Sequence, residues 1–129
     1  MDKIVKFEDG SELGLRATAL TPRLYRFKMG RDMIVDLNQL KKAYEKVERS
    51  RNANETEEDV EQAQLSVTDL TIFENVAFIM ARQYDKTLPD TPEEWLDNMD
   101  RVFTIYELMP HILELWQRGQ KTTAIPKKN

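Results

Sequence analysis

The sequence predicts an α+β fold that is mostly α-helical, with an N-terminal β-hairpin followed by about four to five helices in one compact domain. Three observations carry this expectation. Residues 3–18 alternate apolar and polar on either side of Asp9-Gly10, as paired strands do. From residue 21 onward, apolar residues recur every three or four positions. Thr21-Pro22, Ser66-Val67-Thr68-Asp69 and Thr91-Pro92-Glu93-Glu94 then punctuate the chain with helix-opening chemistry. With 129 residues, one domain over 1–119 and a flexible tail over 120–129 account for the whole chain.

The hairpin joins Lys3–Phe7 to Glu12–Thr18. A two-residue Asp9-Gly10 loop would pair Phe7 with Glu12, leaving Val5 and Phe7 on the face opposite Leu13 and Leu15. A three-residue loop would pair Phe7 with Leu13 and Val5 with Leu15, gathering the apolar set on one face. Burial decides register, so the longer loop or a bulge is expected. A lone hairpin is marginal in water, so helices, a further strand or a second copy must cover it.

Helices follow over 22–49. Thr21 offers an N-cap oxygen with Pro22 at N1, and Gly30 suits a left-handed C′ stop. Between them Arg23, Arg26, Lys28 and Arg31 interleave with Leu24, Tyr25, Phe27 and Met29. This pattern describes either a short amphipathic helix with snorkelling bases or a partner-binding helix. Asp32 opens the next helix, where Met33, Leu37, Leu40, Tyr44 and Val47 form one stripe. Residues 50–64 are an acidic linker: five of the eight positions from Glu55 to Gln62 carry carboxylates. They lack the spaced ligands and glycine of a calcium loop.

The helical part resumes over 66–118. Ser66 and Asp69 form a capping-box-like start, and the helix runs to about Tyr84. Leu70, Phe73, Ala77, Met80 and Tyr84 line one side, with Ile72, Val76 and Ile79 beside them and Phe78 extending the surface. So wide an apolar surface marks a central, deeply buried helix. Thr91-Pro92-Glu93-Glu94 opens a short helix through Trp95 and Leu96. The last helix covers about Asp100 to Arg118, with Val102, Ile105, Tyr106, Met109, Ile112, Leu113 and Trp116 as its buried stripe. Asp100, Thr104, Glu107, His111, Glu114 and Arg118 form its polar row. Pro110 predicts a kink or break, and Gly119 an end.

Two blocks, ATALTPRLYRFKMGRDMIVDLNQL (17–40) and WLDNMDRVFTIYELMPHILELW (95–116), together with KIVKFEDGSELGLRAT (3–18), resemble the tail assembly chaperones of long-tailed, siphovirus-type bacteriophages and prophages of Gram-positive bacteria. The match lies in the order and spacing of the three blocks and spans all but the acidic middle and the last ten residues. The resemblance implies a chaperone that binds the tape measure protein, keeps it soluble and helps recruit tail tube subunits. It implies work in the host bacterial cytoplasm and absence from the mature virion. It also implies a longer form made by −1 ribosomal frameshifting near the end of the frame. Lys127-Lys128-Asn129 is compatible with the slippery codons AAA-AAA-AAC, and equally with an ordinary basic tail. The partner-binding candidates in the matched block are Arg23, Tyr25, Arg26 and Arg31, chosen from exposure chemistry.

Charge and composition bound the alternatives. The net charge is −4, split between residues 1–50 (11 Lys/Arg, 8 Asp/Glu) and 51–129 (8 against 15). A basic half and an acidic half suit homo-oligomers or an oppositely charged partner, although a mixed solvated surface explains them too. Without cysteine there is neither a disulfide nor a thiolate site. The apolar run Val76–Ala81 is too short to span a bilayer, and the N-terminus lacks a signal-peptide core. No phosphate loop or nucleophile elbow is present, and His111 between Glu107 and Glu114 reads as a solvent-facing histidine. The sequence is therefore read as that of a non-enzyme without cofactors or metals. The competing class is a small nucleic-acid-binding regulatory protein using the basic helix 22–31, against which the acidic pI of 5.1 argues.

Overall fold

The computed structural model describes residues 1–52 and 65–123, with the backbone alone for Asn52 and 119–123. An antiparallel hairpin (β1, Asp2–Lys6; β2, Glu12–Arg16) precedes five helices: α1 (Thr21–Met29), α2 (Met33–Asn52), α3 (Val67–Tyr84), α4 (Pro92–Asp97) and α5 (Ile105–Thr123). Helix α3 is the axis of the packing. It touches β2 and all four other helices, and every residue from Val76 to Ala81 is buried.

Burial does set the hairpin register. Val5, Phe7, Leu13 and Leu15 share the buried face. The pairs are not those expected, however: Val5 stands opposite Leu13 and Lys3 opposite Leu15. The three-residue loop is Glu8-Asp9-Gly10, one residue earlier than the expected frame, and Phe7 N–H donates to Ser11 O (2.9 Å). Gly10 takes φ 89°, a left-handed position that glycine occupies without a Cβ penalty. Asp9 Oδ1 accepts from Ser11 N–H (2.9 Å) and Ser11 Oγ–H (2.6 Å), which pins this frame.

The α2 stripe is as read: Met33, Leu37, Leu40, Tyr44 and Val47 are all buried. Asp32 Oδ1 accepts from Ile34 N–H (2.9 Å), opening the helix. The helix continues through Asn52 with Ser50 buried, so the first residues assigned to the acidic linker are helical. The remainder of that linker, 53–64, lies outside the described residues. Ser66 and Asp69 complete a reciprocal capping box, Asp69 N–H to Ser66 Oγ at 3.0 Å and Ser66 N–H to Asp69 Oδ2 at 3.1 Å. Thr91 Oγ1 caps α4 by accepting from Glu94 N–H (3.1 Å).

Four expectations are corrected. Helix α1 begins one residue early, with Leu20 at the N-cap and no side-chain cap. Helix α5 begins at Ile105, because Thr104 Oγ1 accepts from Glu107 N–H (3.2 Å) while Glu107 Oε1 accepts from Thr104 N–H (2.8 Å). Val102 is therefore outside the helix and exposed. The buried stripe turns to Ile105, Leu108, Met109, Ile112 and Leu115, leaving Tyr106 exposed and Leu113 and Trp116 half-buried. The helix runs unbroken through Pro110 and past Gly119 to Thr123, so residues 120–123 belong to it rather than to the tail. Residues 124–129 lie outside the described residues. Finally, Leu70 and Tyr84 of α3 are exposed rather than core. The Tyr84 ring lies on the hairpin's outer face at Gly14, where an added Cβ would come within 2.2 Å of it.

Candidate partner-binding site

Helix α1 presents two unlike faces. Its inner face carries Thr21 and Tyr25, both with no exposed surface. Tyr25 Oη–H donates to Asp36 Oδ2 (2.9 Å), and Arg31 clamps the same carboxylate with Nε (2.7 Å) and Nη2 (2.8 Å). This chelate closes the α1–α2 elbow formed by Gly30, whose φ of 69° only glycine adopts readily. The Arg31 guanidinium holds the Asp36 carboxyl below the usual carboxylate range, whereas burial and then the Asp36 bond raise the Tyr25 hydroxyl. Thr21 Oγ1 accepts from Thr18 N–H (2.8 Å) and donates to Gln83 Oε1 (2.6 Å), and Gln83 Nε2 donates to Thr18 Oγ1 (2.7 Å). The hydroxyl read as a cap is thus spent on tying the hairpin–α1 junction to the end of α3.

The outer face carries Arg23, Arg26, Phe27 and Lys28, all exposed. Phe27 is 88% exposed and Leu20, just before the helix, is 49% exposed. Both border a cleft of about 530 Å³ between α1 and the end of α3. Leu20, Leu24, Phe78 and Ile79 supply apolar lining, Arg16, Lys28, Arg82 and Lys86 supply four cations, and none of the described lining residues is acidic. Covering an exposed phenyl ring yields roughly 2 kcal/mol of transfer free energy, which Phe27 leaves unrealised in the chain by itself. Arg16 is held by Asp2 (2.7 Å) and Arg82 by Asp90 (2.9 Å). Arg82 Nε is shut off from solvent without an acceptor among the described residues. Lys28 and Lys86 form no ion pair with a described residue.

The four residues expected to bind a partner are not brought together. Tyr25 is core. Arg31 is committed to Asp36. Arg23 and Arg26 are exposed but do not line the cleft. Leu24, Phe27 and Lys28, named in the interleaved stretch but not among the four candidates, line one wall with Leu20, and Ile79, Arg82 and Lys86, which the sequence did not connect with this helix, line the other. Leu20, Leu24 and Phe27 stand at spacings of four and three, a second apolar stripe legible beside Thr21–Tyr25. The contribution of α3 has no local signal.

Elsewhere, His111 does not form a dyad. Its pKa is lowered by burial and by the nearby Lys3 charge, with Glu114 opposing them. Glu107 serves the α5 cap and Arg101 (2.8 Å), while Glu114 pairs with Lys3 and Arg118. Among the described residues no three His, Asp or Glu side chains are grouped to hold a metal ion, and no helix is long and apolar enough to cross a membrane. A second cleft of about 340 Å³ lies under Phe73, Leu96 and Phe103. Beside it, Arg101 stacks over Phe7 at 4.2 Å and bonds Glu107. No protein-family model matches the chain, and no curated protein or solved structure matches it.

Proposed function

We propose that this chain is a phage tail assembly chaperone, which binds the tape measure protein, keeps it soluble and helps recruit tail tube subunits. The observation that supports the reading most is the open apolar cleft beside α1, walled in part by the block 17–40 that resembles the family. A very long helical partner aggregates through its apolar stripes unless they are covered, and grooves that accept amphipathic helices are a common means of covering them. The closed core around α3 supplies rigidity, while Phe27 and Leu20 supply surface still to be buried. In this reading the protein works in the host cytoplasm, is absent from the finished virion, and associates with copies of itself and with a frameshift-extended form.

Co-expression tests it. Co-expressed with a phage tape measure protein, the chain should raise that protein's soluble fraction and co-purify with it. An insoluble tape measure protein in the presence of abundant, folded chain would contradict the proposal. Sedimentation at tens of micromolar, at low and high salt, tests self-association: dimers or rings are expected, and a clean monomer in both conditions removes that part.

A further inference from the structure

We infer that the cleft between α1 and the end of α3 selects an amphipathic helix whose apolar stripe is flanked by carboxylates. The inference deepens the chaperone reading, and rests on it only for the partner being a helical protein. Among the described residues, four cations and no acid line the cleft. Two of the four, Arg16 and Arg82, already have carboxylate partners. Lys28 and Lys86, exposed on opposite walls, form no ion pair with a described residue. An acidic residue on either flank of an inserted stripe would meet one lysine each, with Phe27 and Leu24 against the apolar side chains between them. Like charges placed there would be repelled, so the same lysines reject a basic helix. The lining also separates this occupant from a single-stranded nucleic acid. Leu20, Leu24 and Ile79 are aliphatic, whereas single strands need successive aromatic platforms for stacking, and among the described residues Phe27 is the only exposed ring lining the cleft.

The test uses the full chain and three synthetic helical peptides of one apolar stripe, flanked by Glu, by Gln or by Lys. Anisotropy titrations at low salt should rank them Glu, Gln, Lys, with about tenfold between the first and last, and the gap should narrow in high salt. Lys28→Glu with Lys86→Glu should invert that order, and Phe27→Ala should weaken all three peptides while circular dichroism stays unchanged. Equal binding of all three peptides, binding of none, or an order unmoved by charge reversal overturns the inference. So does binding of a labelled single-stranded oligonucleotide that displaces the Glu peptide, or self-association abolished by Phe27→Ala, which would make a second copy the occupant. Lys28→Gln with Lys86→Gln is the fallback should the reversed variant not fold; loss of the ranking is expected. If the peptides rank as predicted but the tape measure protein stays insoluble, the cleft's preference stands and the chaperone reading falls.

Discussion

The two faces of α1 are built from the same alphabet, bases alternating with aromatics, and they meet opposite surroundings. On the inner face Tyr25 is sealed in and bonded to Asp36, and its neighbour in that chelate, Arg31, is doubly bonded to the same carboxylate. On the outer face Phe27 stands 88% exposed beside Lys28, which has no described ionic partner. The difference shows that a Tyr and an Arg in a stretch of interleaved bases and aromatics do not by themselves make a surface. A tyrosine with a hydroxyl acceptor in reach goes inward, and the plain phenyl ring with nothing to cover it is where the proposed partner would fit.

The comparison breaks most visibly in stability. Tyr25→Ala opens a cavity and leaves Asp36 short of one donor, so a loss of about 4 kcal/mol is expected in denaturant unfolding. Phe27→Ala, two positions on, should stay within about 0.5 kcal/mol of the parent. Comparable losses at both would erase the distinction between the faces.

Asp36→Ala should cost about 3 kcal/mol, because it orphans the buried tyrosine hydroxyl and releases Arg31. The pH dependence has a fixed sign. Asp36 has a lowered pKa when folded, so its contribution is complete above the ordinary value of 3.8 and is lost as pH falls from there through the folded value. Asp36→Asn should therefore lower stability at neutral pH and flatten its decline below about pH 4; an unchanged acid limb would show that the carboxylate is not what titrates.

Much of the fold was legible, and the places where reading failed share one cause. The α2 stripe and the Ser66 capping box were legible because each is a local pattern with a single periodicity. In α5 apolar residues occur on both sides of the expected stripe, so phase depended on the start of the helix. That start was present as Thr104-Ile105-Tyr106-Glu107, a capping box that the longer Val102–Trp116 periodicity masked. Thr21 looked like a cap because its competitor, Gln83, lies 62 positions away. The outer stripe Leu20–Leu24–Phe27 was likewise in the sequence, but the other wall of the cleft is set by how α3 packs. Tertiary partners, unlike periods, leave no local trace.

Smaller effects sharpen the same point at the junctions. Thr21→Val should cost about 1.5 kcal/mol, since Thr18 N–H and the Gln83 carbonyl lose their partner in a buried place; a neutral result would mean that water replaces the hydroxyl. Gly14→Ala should cost about 1 kcal/mol and less in a Tyr84→Ala background, because the clashing group is the movable end of a half-exposed side chain. Additive losses in that double-mutant cycle would place the cost in the strand backbone instead.

The most direct measurement combines both faces of α1 in one partner assay. The tape measure protein is co-expressed with the parent chain, with Phe27→Ala and with Tyr25→Phe, which keeps the ring and removes only the hydroxyl. Thermal unfolding is recorded for each purified chain. The account predicts that Phe27→Ala melts like the parent yet leaves most of the tape measure protein insoluble, while Tyr25→Phe melts several degrees lower and still solubilises it. A fully active Phe27→Ala would contradict the assignment of the outer face as the binding surface.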